Sequence, residues 1–85
     1  MAGEWTTWKF DDLEHYSKVV QGFFGVGCSW EVLAYATQLV NGTNYTFLVK
    51  KTIMSPPFLP DLVKVHAHLD LQGKWTHKEP EKVIP

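Results

Sequence analysis

The sequence predicts an α+β fold: one helix packed across a four- to five-stranded antiparallel sheet. Three observations carry this. Apolar residues recur at three- and four-residue spacing between Leu13 and Phe24, the period of an amphipathic helix. From Trp30 onward the period drops to two, the signature of strands with one buried face. Two turn signals, Asn41-Gly42 and Asp70-Leu-Gln-Gly-Lys74, separate alternating runs as hairpins do.

Taken in order, residues 1–10 carry Gly3, Trp5 and Trp8 without periodicity and read as an N-terminal arm. The helix spans Asp11 to Gln21. Asp11 or Asp12 caps it, and both suit its positive end. Leu13, Tyr16, Val20 and Phe23 or Phe24 form its stripe, and Gly22 is the expected stop. Trp30–Val40 is the first strand, with Val32, Ala34, Ala36, Gln38 and Val40 on one face. Ala34 and Ala36 are small enough for a helix to approach them closely. Asn41-Gly42 then turns the chain, both central residues taking positive φ. Asn44–Lys51 is the second strand, burying Tyr45, Phe47 and Val49. Met54–Pro60, with three prolines, is a loop. Leu62–Leu69 buries Val63, Val65, Ala67 and Leu69 and leaves Lys64, His66 and His68 on a wetter face. Trp75–Ile84 returns as a last strand, which Pro80 confines to an edge. The meander thus covers 30–84 of a single domain, 1–85. Both hairpin turns fall at one end of the sheet and the Met54–Pro60 loop at the other.

Composition narrows the function. At 85 residues the chain is one small domain, and it buries only roughly 60–65% of its unfolded surface. The hydrophobic share of 45% makes a core possible. A net charge of −1 lacks the basic excess of a nucleic-acid or anionic-membrane binder. The single cysteine, Cys28, forms no internal disulfide and excludes zinc sites built on paired cysteines. MAGEWTTWKF has no basic segment followed by a long apolar run, and no stretch approaches about 18 consecutive apolar residues. A cytoplasmic protein is expected.

The segment Ala34-Tyr-Ala-Thr-Gln-Leu-Val-Asn-Gly-Thr-Asn-Tyr-Thr-Phe47 resembles the central hairpin of the cystatin superfamily. That family carries Gln-X-Val-X-Gly followed by Thr-Asn-Tyr. Gln38, Val40 and Gly42 match the pattern, and Thr43-Asn44-Tyr45 match its extension. The order of elements is similar too, and the resemblance covers most of the chain. The lack of paired cysteines is similar to the stefins, and the compact helix and the Asn41-Gly-Thr-Asn-Tyr45 run resemble short bacterial stefin-like proteins. The resemblance implies a reversible, non-covalent inhibitor of papain-like cysteine peptidases, with no enzyme activity and no cofactor. Its peptidase-binding wedge would comprise Gly3, then Gln38, Leu39, Val40, Asn41 and Gly42, then Leu71, Gln72, Gly73, Lys74 and Trp75. The chain departs from the family in two places. Gly3 is a single arm glycine preceded by two residues, and Lys74 stands where many secreted cystatins have proline before tryptophan.

Elementary chemistry agrees with such a wedge. Gly42 has no side chain to clash in a narrow cleft, and Val40 and Trp75 offer apolar contact. About 800 Å² would be buried per partner. On this reading Gly42→Arg blocks docking and leaves the fold intact. A monomer is expected, with a domain-swapped dimer open to a long hairpin.

Other groupings carry blander readings. His66 and His68 share a strand face, and His77 could lie across them, although a solvated face explains them as well. Cys28 and His15 could form a thiol nucleophile and base, but Cys28 sits in a glycine-rich turn. Trp75 serves equally as packing or as an exposed anchor. Asn41 and Asn44 begin glycosylation sequons, and a glycan on Asn41 would block the wedge. The alternatives to an inhibitor are a non-inhibitory cystatin-fold module that binds protein or peptide, and a small enzyme or metal protein.

Overall fold

A computed structural model describes residues 3–83. Its elements are α1 (Leu13–Phe24), β1 (Cys28–Val40), β2 (Gly42–Ile53), β3 (Pro60–Leu69), β4 (Trp75–His77) and β5 (Glu81–Lys82). The strands form an antiparallel sheet of order β1-β2-β3-β4, with β5 also on β3. The helix packs on one face, as the periodicity predicts.

The core lies between helix and sheet. Val20, Phe47, Val49 and Val65 are fully shielded from solvent. Tyr16 is the hub: its ring lies 4.5 Å from Tyr35, 5.4 Å from Tyr45 and 5.6 Å from Phe47. Aromatic pairs at such distances add stabilisation beyond their buried area. Their hydroxyls find partners as well, since Tyr16 and Tyr45 share a hydrogen bond and Tyr35 donates to Asp11 Oδ1 at 3.0 Å. Burial holds the Tyr16 phenol well above its ordinary range, helped by its bond to Tyr45. Burial and then the Asp11 bond push Tyr35 up to about 12.

The helix starts and stops later than its sequence suggests. Asp12 is the N-cap, with φ of 55° and no side-chain cap; Asp11, the other capping candidate, accepts from Tyr35 instead. Gly22 does not end the helix. A mid-helix glycine costs about 1 kcal/mol relative to alanine, and the packing of the next two residues outweighs that. Phe24 stacks on Trp30 at 4.4 Å, and Phe23 stacks on His77 at 4.5 Å. The stop is Gly25, at φ 73°, whose amide donates to Gln21 O.

A β-bulge changes the reading of β1. Val32 lies opposite Val49 but Ala34 lies opposite Leu48, so Leu33 is extra. One inserted residue exchanges the faces beyond it. Val32 and Tyr35 therefore face the helix. Ala34 and Ala36 face the opposite side, not the helix as their even spacing suggested.

The arm is structured as well. Gly3 and Thr6 donate backbone hydrogen bonds to Leu39 O and Thr37 O, and Lys9 exchanges two with Tyr35. Residues 3–9 thus cover the outer edge of β1 from Tyr35 to Leu39. Side chains of α1 serve the rest of that edge. Ser17 Oγ accepts from the Val32 amide, Gln21 Oε1 from the Trp30 amide, and Gln21 Nε2 donates to Cys28 O. An unpaired edge is a template for aggregation, and here it is satisfied from within the chain.

The last strand is two short pieces. Pro80 has no amide to give the ladder, and the pairing to β3 lapses between His77 and Glu81. Ile84, the predicted end of this strand, lies outside the described residues, as do Met1 and Ala2 of the arm. Among the described residues, no helix is long and apolar enough to cross a membrane.

Candidate functional site

One end of the sheet gathers all three segments that the sequence singles out. The Gly3 amide donates to Leu39 O at 2.8 Å. Leu39 pairs with Thr43, Thr43 with Leu69, and Leu69 with Trp75. Arm, first turn and second turn therefore form one continuous edge. The Met54–Pro60 loop lies at the far end, where Val26, Ile53, Met54, Phe58 and Leu59 make a separate exposed apolar area.

The first turn is tighter than a two-residue Asn-Gly hairpin. Val40 pairs directly with Gly42, leaving Asn41 alone at the apex. Only Gly42 takes positive φ, at 99°. Gly42 is buried rather than an open tip. A Cβ there would lie 2.5 Å from Leu69 O and 2.9 Å from His68 Nε2. Gly42→Arg therefore cannot leave the fold intact, contrary to the sequence reading. The residues that stand clear are Leu39, 71% exposed, and Asn41.

In the second turn the Asp70 carboxylate does the shaping. Its Oδ1 accepts from the Gln72 and Lys74 amides at 2.9 and 2.8 Å. The Asp70 amide donates to Lys74 O, and the Gly73 amide to Asp70 O. This presents Leu71, 74% exposed, with Gln72, Gly73 and Lys74. Trp75 is turned inward, 4.9 Å from Tyr45 and 5.7 Å from Phe23. It joins the core margin, the packing role that the sequence left open. Asp70 was not among the predicted site residues. Its signal was available, since Asp-X-X-Gly after a strand is a common side-chain-closed turn.

Gln38 is occupied rather than offered. Its Nε2 donates to Gly3 O at 3.0 Å and its Oε1 accepts from Asn44 Nδ2 at 3.0 Å. Asn44 Oδ1 in turn bonds His68 Nδ1 at 2.7 Å. This row lies on the sheet face away from the helix, above an open groove of about 580 Å³ lined by Trp5, His66, His68, Thr76, Lys78 and Glu81.

The competing groupings come apart. His66 Nδ1 pairs with Thr46 Oγ1 and its Nε2 lies 3.6 Å from Glu81, whereas His68 Nε2 points over Gly42. The two rings diverge, and His77 is on the other face, stacked on Phe23. Among the described residues, no three His, Cys, Asp or Glu side chains come together as metal ligands. Cys28 packs against the core beyond the helix C-terminus, while His15 lies in the first helical turn, so they form no nucleophile and base.

No family model, curated protein or solved structure matches the chain.

Proposed function

We propose that this protein is a cystatin-like, reversible inhibitor of papain-like cysteine peptidases. It acts by occlusion, without catalysis and without a cofactor. The observation that carries the reading is the single edge formed by Gly3, Val40–Gly42 and Asp70–Lys74, in the order the family's wedge requires. Leu39, Asn41, Leu71, Gln72 and Lys74 would make the side-chain contacts. Gly42 lets the first turn stay narrow, and Asp70 holds the second.

Rigidity supports the same reading. Each segment of the edge is tied by backbone hydrogen bonds to its neighbour, so docking would order little chain and lose little entropy. No catalytic thiol is engaged in the proposed complex, and no bond is made or broken. The free Cys28 is compatible with a reducing compartment such as the cytoplasm. A second reading, a cystatin-like module that binds protein without inhibiting, is favoured by the inward Trp75, which removes one apolar anchor from the edge.

Titration of papain activity with the purified chain separates the two. Stoichiometric, reversible loss of activity supports the inhibitor. Full activity at micromolar concentrations of the chain would exclude it.

A further inference from the structure

We propose that Asn44 and His68 are positioning residues that hold the arm in register through Gln38. This deepens the inhibitor reading and rests on it for its functional consequence, but the structural claim is independently measurable. Four segments are spanned by three side-chain hydrogen bonds: Gly3 O to Gln38, Gln38 to Asn44, and Asn44 to His68. None of the three side chains is fully exposed, so each bond is worth more than on open surface.

The polarity of the row is dictated from one end. Gly3 O is a carbonyl and can only accept. Gln38 must therefore present its NH2 to the arm and its oxygen to Asn44. Asn44 must then turn its NH2 to Gln38 and its oxygen to His68. His68 must donate from Nδ1, which leaves Nε2 of the neutral ring without a proton, over Gly42. The facing of an amide on β1 is thus tied to a ring on β3, two strands away. The parallel row through Thr46 and His66 does not touch the arm and serves as an internal control.

Asn44→Asp is the discriminating variant. Near pH 7 the introduced carboxylate still accepts from His68 but cannot donate to Gln38. Gln38 would then turn its NH2 toward that carboxylate and set its oxygen against Gly3 O, breaking the arm contact while preserving shape. Site-resolved backbone amide exchange by NMR reads the result. Exchange at Gly3 and Thr6 should accelerate about tenfold, the equivalent of one net hydrogen bond. Core amides at Val49 and Val65 should keep their parental rates. His68→Ala should accelerate the same arm amides, and Thr46→Ala should not.

Unchanged arm exchange in Asn44→Asp, or equal acceleration in Thr46→Ala, would overturn the proposal. If Asn44→Asp fails to fold, the contrast between His68→Ala and Thr46→Ala decides it alone. Accelerated arm exchange with undiminished papain inhibition would uphold the positioning role and remove the arm from the proposed binding edge.

Discussion

Gly42 is where fold and proposed function meet most tightly, and Gly42→Ala tests that directly. The added Cβ would lie 2.5 Å from Leu69 O and 2.9 Å from His68 Nε2. The first contact is backbone, so it is relieved only by moving β2 away from β3. The φ of 99° adds strain for any residue with a side chain, about 1 kcal/mol. Overpacking adds a further 1–3 kcal/mol or so. A total near 3 kcal/mol would be a large part of the stability of a small domain. It should lower the melting temperature by roughly 10–25 °C, at about 4–8 °C per kcal/mol for this chain length. Gly73→Ala is the control. Gly73 has a comparable φ of 84° but no atom within 4 Å of the added Cβ, so only the conformational cost of about 1 kcal/mol applies. Thermal unfolding followed by circular dichroism compares the two. A Gly42→Ala protein that melts within a few degrees of Gly73→Ala would refute the close approach of β2 and β3 at this turn.

Three further outcomes follow from the same contacts. Tyr16 and Tyr35 are held neutral in the folded state at pH values where they ionise in the unfolded chain. The unfolded state then binds fewer protons, so stability is full below about pH 10 and falls as pH rises toward 12. Urea midpoints at pH 8 and pH 11 measure the loss, which both tyrosines place at the higher pH. Ser17→Ala removes the acceptor from the Val32 amide. It should cost about 1–3 kcal/mol in urea unfolding and speed exchange at Val32. Asp70→Ala leaves the Gln72 and Lys74 amides without their acceptor, and both face solvent. Stability should fall by no more than about 1 kcal/mol, while papain inhibition weakens several-fold as the second turn loosens.

Much of this molecule is legible in the sequence because the relevant forces are local or periodic. Alternation alone places Tyr45, Phe47 and Val49, and then Val63, Val65 and Ala67, on the helix side of the sheet. The motif from Gln38 to Tyr45 marks the turn, and antiparallel connection places both turns at one end. The rest depends on contacts between distant residues. Gly22 looks like a stop until Trp30, Trp75 and His77 supply partners for Phe23 and Phe24. The bulge at Leu33 leaves no mark in the period-two pattern, yet it exchanges Ala34 and Ala36 for Tyr35 on the helix face. The arm pairs through backbone atoms, which carry no side-chain pattern to read. At the site, the motif points to Gly42 as a tip that enters a cleft, whereas the close approach of Leu69 O makes it an internal spacer. Gln38 likewise changes from a contact to a tether once Gly3 and Asn44 are seen on either side of it.

The binding edge itself is tested most directly by a footprint. Backbone amide exchange of the chain would be compared with and without papain whose catalytic thiol has been S-methylated. Protection confined to Gly3, Leu39–Gly42 and Asp70–Lys74 is the predicted result. Protection over Ile53–Leu59 or the groove beside His66, or no protection at saturating papain, would contradict it.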